Sequence, residues 1–527
     1  MSGEHRESDQ RSKIRTDCDK TKIFFRNGTV MDGTGSRPSA GGVLVIGDTI
    51  AEVGHFSPPR QARIIDCTGL VVVPGFIDAH SHSDLEVLEN RTEKVQQGVT
   101  TEIVGNCGFS AYPTPRVRKL LHHFANGIFC GSDDWGWGSA RDYLLAVRRS
   151  ARSTNVVSLL GHGALRLAEV GYEMGPLSPE DLKSMAGRLD ESLSLGASGF
   201  STGLMYAPGS CASQGELEQL CRVVARHGKI YATHMRSYTS ELLPAIDEQL
   251  ELARRSGCKL EISHLQAAGR QNWTKQSMAL EKIERARSDG VDVAFDCYPY
   301  TAGSTVLTQL LPQWVLEGGT QGMLTRLSSA ANRARIAAET SSFHQDRWSD
   351  IYITSVAFPK NSGLEGQNIA TIAQARGCDP VEVVLDLLLE EQGAVQIISF
   401  NQSDENLKQT LTHPLSIVVS DGFYVKGQPH PRLYGTFPLL LGKMCRERGW
   451  LNLTEAIYKI TDFPARRFGI SRRGRLERGY FADITVFDAD TITSDATYSN
   501  PKVPPVGIKY VYLNGQQLLP TAGAAVA

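Results

Sequence analysis

Six residues of this 527-residue chain carry side chains from which a metal centre could be assembled: His80, His82, Cys107, His234, His264 and Asp421. Imidazole and thiolate are good zinc ligands, and a carboxylate beside them completes a hydrolytic site. His80 and His82 end the run Pro74-Gly75-Phe76-Ile77-Asp78-Ala79-His80-Ser81-His82. On a strand, residues two apart point to one face, so these two imidazoles would converge. Cys107 ends a second apolar run, within Gly105-Asn106-Cys107-Gly108. Taken alone, these three read equally well as ligands or as core histidines satisfied by hydrogen bonds beside a small apolar thiol. The other three change that reading, because each also closes a short apolar run.

Those runs are candidate strands, at 76–82, 100–106, 155–161, 197–202, 229–234, 259–264, 291–296 and 415–421. Segments of helical periodicity lie between most of them, for example 179–195, 215–227, 240–256 and 273–288. Strand and helix in alternation indicate βα units on a parallel sheet, and eight units point to a closed (β/α)8 TIM-type barrel. A doubly wound open sheet has the same periodicity and stays open as an alternative. In a barrel all six residues would meet at the C-terminal rim, where such folds place their active sites.

The barrel would span 74–470, with an insertion at about 301–413 between strands seven and eight, too long for a plain loop. Helical stretches at 326–339 and 380–391 suggest a subdomain or lid, and 451–468 reads as a final helix. Before the barrel, 21–73 holds short strands with turn signals at Asn27-Gly28 and Gly47-Asp48. After it, 471–518 holds two more strands and an Asn514-Gly515 turn. Neither part is long enough to close a core, so together they are expected to form one discontinuous β-sandwich. Residues 1–20 read as a disordered leader and 519–527 as a small-residue tail.

Fifty-five basic and 57 acidic residues leave a net charge of -2, which points to neither a nucleic-acid nor a membrane partner. No apolar run is long enough to span a bilayer, and the leader lacks a secretory h-region. Ten scattered cysteines without a CxxC pair suit a reducing, cytoplasmic setting. The run Asp133-Asp134-Trp135-Gly136-Trp137, between strands two and three, reads as an exposed loop anchored by tryptophan.

The HSH pair after PGFID, the GNCG turn, THMR at 233–236, ISH at 262–264 and VSDG at 419–422 resemble the metal-dependent amidohydrolase superfamily. Its N-acyl-D-amino-acid deacylase (D-aminoacylase) branch is further matched by GFSTGLMYAPG at 199–209, AAGRQNW at 267–273, YPYTAGST at 298–305 and HPRLYGTFP at 430–438. The resemblance runs from about residue 23 to 518. It implies a tight zinc on Cys107, His234 and His264, and a second, weaker metal position on His80 and His82. It also implies that cysteine replaces the carboxylated lysine that bridges metals in dihydroorotases and hydantoinases. Asp421 would be the proton shuttle between activated water and the departing amine. Arg432 would pair with a substrate α-carboxylate, aided by Tyr206 and Ser304.

One departure touches the substrate. Deacylases commonly read SHHK where this chain reads Ser263-His264-Leu265-Gln266, so Gln266 stands in place of a lysine that holds the carboxylate. Either Arg432 suffices or the substrate is a capped or larger amide. His162, after strand three, is a candidate for the oxyanion or the pocket wall, with a structural histidine as the alternative. The expected activity is zinc-dependent hydrolysis of the acyl amide of N-acyl-D-amino acids or related amides. The alternatives are a cyclic-amide hydrolase, a deaminase or a non-catalytic barrel that only binds.

Overall fold

The structure, a computed structural model, describes residues 21–129, 135–150, 153–172, 175–344 and 348–520. The leader, the Asp133-Asp134 pair and nearly all of the tail lie outside the described residues. Trp135 is buried, its ring 4.5 Å from that of His122. Strands β1 (Lys22–Val30), β2 (Ser39–Ile46), β3 (Thr49–Gly54), β4 (Arg63–Asp66) and β5 (Val71–Pro74) come first. Gly47-Asp48 is the β2–β3 turn. Asn27-Gly28, expected as a turn, is instead a bulge inside β1: the register against β2 shifts between Phe25 and Gly28. Asn27 has φ 62°, and the residues that suit a tight turn suit such a bulge equally. The kink lets β1 pair with β4 through Ile23–Arg26 and with β5 through Thr29 and Val30.

The barrel follows as β6 (Phe76–Asp78), β7 (Val99–Val104), β8 (Asn155–Gly161), β9 (Gly199–Gly203), β10 (Ile230–His234), β11 (Lys259–Ile262) and β12 (Val293–Cys297). Its helices start and stop on local signals. Ser178 caps Pro179–Ser194 by accepting the Asp181 N–H at 3.1 Å, Ser213 caps Gln214–Arg226, and left-handed Gly257 ends Leu242–Ser256. The insertion contributes β13 (Ala302–Val306), β14 (Ile351–Val356) and β15 (Val395–Phe400), an antiparallel sheet in the order β13-β15-β14. The helix expected at 326–339 is two, Gly319–Ser328 and Ala330–His344, broken at the extended residue Ser329.

Strand β16 (Ser416–Val418) completes an eight-stranded parallel sheet in the order β6-β7-β8-β9-β10-β11-β12-β16. Its two edges meet where Ser81 bridges Gly422, so the sheet is a nearly closed (β/α)8 barrel. Ala79, Ile103, Leu159, Ile230, Ile417 and Phe468 fill its lower interior. The final helix expected at 451–468 is split into Leu453–Lys459 and Asp462–Arg467, because the Ile460 carbonyl is taken by the Ile77 N–H at 2.8 Å.

Strands β17 (Ile484–Phe487), β18 (Ile508–Leu513) and β19 (Gln516–Leu519) then return to the N-terminal strands. Both ends of the chain share one eight-stranded sheet, β19-β18-β17-β5-β1-β2-β3 with β4 on β1. This is one continuous ladder rather than two separately bonded layers, since β1 carries neighbours along both of its halves. Phe25 meets Tyr512 edge-on at 5.0 Å and ties the two ends together. Among the described residues no helix is long and apolar enough to cross a membrane.

Candidate metal centre

The site sits on the seam that closes the barrel. β6 stops at Asp78 and β16 at Val418, so His80, His82 and Asp421 lie just beyond their strands rather than on them. Two backbone hydrogen bonds continue the seam, from Asp421 N–H to the His80 carbonyl (2.9 Å) and from His82 N–H to the Gly422 carbonyl (3.0 Å). Asp78 fastens it from below. Its Oδ1 accepts the Ser420 N–H at 2.9 Å, and its Oδ2 accepts from Ser420 Oγ at 2.5 Å and Lys94 Nζ at 2.6 Å. All three side chains are buried.

Cys107, His264 and Asp421 adopt φ of 53°, 37° and 48°, a left-handed conformation uncommon for residues with a Cβ. Close contacts surround them. Cys107 is followed by Gly108 at φ 79°, where a Cβ would come within 2.7 Å of the Gly203 nitrogen. His264 N–H donates to Asp296 Oδ1 at 2.6 Å. Strained backbone of this kind persists where surrounding contacts over-determine it, and it clusters at functional sites.

The side chains converge as ligands would. In each of the trios His80, His82, Cys107 and Cys107, His234, His264, the ligand atoms lie within 4.8 Å of one another. Cys107 Sγ, common to both, is 3.3 Å from His80 Nε2 and 3.5 Å from His264 Nε2. Both ring nitrogens of His234 are buried without a hydrogen-bond partner, as is Nδ1 of His82 and of His264. Leaving such nitrogens unsatisfied costs free energy, and a coordinated cation removes that cost. A thiolate with imidazoles is a donor set that zinc favours.

The charges at His234 and His264 agree with this role. Burial, with His264 nearby, holds His234 well below the ordinary imidazole range, and burial lowers His264 to about 4. Both are therefore neutral, as metal ligands must be. Burial raises the Asp421 carboxyl, but Arg432 and His80 outweigh it and hold the group well below its usual range. Asp421 Oδ1 lies 3.3 Å from His80 Nε2 and 3.4 Å from His82 Nε2, while Oδ2 lies 2.9 Å from Arg432 Nη1.

Above the ligands opens a cavity whose wall includes Tyr206, Gln266, Ser304, Asp421 and Arg432. The Tyr206 ring is 4.8 Å from that of His234. Buried Arg432 lies over the Tyr298 ring at 4.7 Å, and its Nη2 reaches the Ser304 carbonyl at 3.5 Å. Gln266 Oε1 accepts from Tyr298 at 3.4 Å. His162 is the exception. It is not on this wall, because its Nε2 is engaged by Glu216 Oε1 at 2.8 Å, a carboxylate that also binds Arg166.

Sequence reasoning missed three contributors. Asp296 Oδ2 binds His80 Nδ1 at 3.1 Å and so orients that ring, the usual partner of a ligating histidine. Its position at the end of a candidate strand was a usable signal. Tyr298 and Phe423 flank Arg432; Tyr298 opens the YPYTAGST motif and Phe423 follows VSDG, so the motifs were a usable signal for both.

The amidohydrolase family model matches residues 63–519. N-acyl-D-glutamate deacylase of Alcaligenes xylosoxydans xylosoxydans is 35% identical over 507 residues, covering 96% of this chain and 95% of that protein. D-aminoacylase of the same organism is 33% identical over 95% of each chain. The crystal structure of N-acyl-D-glutamate deacylase from Bordetella bronchiseptica, complexed with zinc and a phosphonate inhibitor, has a TM-score of 0.82 at 32% identity. It covers 96% of this chain and 98% of its own. With a family match over most of its length and full-length relatives at this identity, the chain belongs to the amidohydrolase family, among the N-acyl-D-amino-acid deacylase-like hydrolases of carbon–nitrogen bonds other than peptide bonds.

Proposed function

We propose that this chain hydrolyses the acyl amide bond of N-acyl-D-amino acids, using zinc held tightly by Cys107, His234 and His264. His80 and His82, with Cys107, offer a second position. The observation that carries this reading is His234, buried with both ring nitrogens unpartnered beside a thiol and a second neutral imidazole. Zinc held there would activate water as a nucleophile near neutral pH and polarise an acyl carbonyl.

The protein's own groups do the rest. Arg432 has buried Nε and Nη1 donors without an aligned acceptor, although Nη1 lies close to Asp421. A substrate α-carboxylate would satisfy them and orient the amide toward the ligand cluster. Asp421, ionised and between the histidines and Arg432, takes a proton from the attacking water and delivers it to the departing amine nitrogen. Gln266 and the Tyr298 hydroxyl supply neutral hydrogen bonds where a lysine would supply charge.

The test is release of free amino acid from N-acetyl-D- and N-acetyl-L-amino acids by zinc-loaded and zinc-stripped protein. Turnover of D-substrates that requires zinc is expected, and equal activity without metal would sink the mechanism. Asp421→Asn should lower kcat by about 10²–10⁴-fold with metal content unchanged. Retained turnover would remove Asp421 from the shuttle role.

A further inference from the structure

Arg432 is the only lysine or arginine on the cavity wall among the described residues. It lies 2.9 Å from Asp421 and is stacked on Tyr298, so its capacity for anions is nearly spent before a substrate arrives. One α-carboxylate can still reach its unaligned donors. A second carboxylate would find no second lysine or arginine on this wall among the described residues. Beyond the ligands the wall carries Phe109, Ile128, Met205, Leu310, Ile351 and Ile397, with the uncharged polar side chains of Thr239, Gln309, Ser399 and Asn401 among them. The sheet that roofs the cavity brings no charge: along its cavity face Gly303, Ser399 and Ile351 stand in one row, with Thr305 and Ile397 in the next.

Burying an ionised carboxylate against such a surface, with no cationic side chain to offset its lost hydration, is strongly unfavourable. An aliphatic or thioether side chain gains free energy from the same contact. We propose that the substrate carries a single carboxylate: an N-acyl-D-amino acid whose side chain is uncharged and apolar, rather than N-acyl-D-glutamate or N-acyl-D-aspartate. This rests on the deacylase reading of the same site and selects one substrate class within it. Gln266 belongs to the same pattern, since a glutamine there leaves the pocket with one fixed positive charge instead of two.

The experiment measures kcat/KM of the zinc-loaded full chain for N-acetyl-D-leucine, N-acetyl-D-methionine, N-acetyl-D-glutamine, N-acetyl-D-glutamate and N-acetyl-D-aspartate. D-leucine and D-methionine derivatives should exceed the D-glutamate derivative by on the order of a hundredfold or more. The glutamine derivative, equal in shape to glutamate but uncharged, should fall between them. A glutamate or aspartate derivative as good as the leucine derivative would overturn the inference and leave the deacylase reading standing. Silence on all five would overturn that reading and this inference with it. Met205→Lys, at a half-buried wall position, should raise the glutamate-to-leucine ratio at least about tenfold. An unchanged ratio in a folded, zinc-loaded variant would contradict the placement of the side chain against this wall.

Discussion

At the barrel seam, between Asp78 and Gly422, buried polar side chains are tied to one another: Asp78 to Lys94 and Ser420, His80 to Asp296, and Asp421 to Arg432. The insertion that covers the same cavity contributes Leu310, Ile351 and Ile397, which pack without directional bonds. The floor includes three residues in left-handed backbone and the side chains of the metal cradle. The roof is a short antiparallel sheet on its own aliphatic core. Directional bonds fix positions closely and tolerate little change, whereas aliphatic packing accepts volume-conserving exchange. On the proposed reading, chemistry is assigned to the floor, and the roof shares the choice among substrates with Met205, Gln266 and Arg432 on the rest of the wall.

That contrast can be broken from either side. Cys107→Ala, which removes the thiol common to both ligand trios, should abolish zinc binding and take turnover to background, read by elemental analysis and amino-acid release. Full activity in a metal-poor variant would erase the distinction. Lys94→Met leaves the buried Asp78 carboxylate without its cation and should destabilise the fold by about 3–5 kcal/mol in urea unfolding. Adding Asp78→Asn should recover part of that loss, and an unperturbed single variant would mean that the seam is not held by this pair.

Arg432→Ala should cost about 1.5–3 kcal/mol in binding substrates with a free α-carboxylate, seen mainly in KM. Amide-capped analogues should be affected far less, and equal losses would remove Arg432 from carboxylate recognition. The smallest effect belongs to the roof. Ile397→Val should lower stability by about 0.5–1.5 kcal/mol and shift relative kcat/KM among apolar D-substrates while the metal content stays constant. A change in metal content from this variant would show that roof and floor are not separate.

The terminal strands and the barrel rhythm were legible in the sequence because alternation and helical periodicity are local. Serine caps at 178 and 213 and glycine at 257 mark helix ends that periodicity alone would leave loose. Other features could not be read this way. Asn27-Gly28 supports a turn and a bulge with the same residues, and only the neighbours of β1 choose between them. The long helix expected at 451–468 breaks because Ile460 gives its carbonyl to Ile77. His162 looks like a rim residue by position, yet Glu216 from the helix after β9, Gln214–Arg226, captures it.

Sequence by itself determined the donor types, their places near the ends of apolar runs, and the single charge change at Gln266. These follow from residue chemistry and short-range periodicity. Tertiary structure decided how the barrel closes, which carboxylate orients His80, and what covers the cavity. His80 and Asp296 are 216 residues apart, and Asp78 and Ser420 are 342 apart. Contacts at such separations are chosen by the packing of the whole barrel, and no local pattern encodes them.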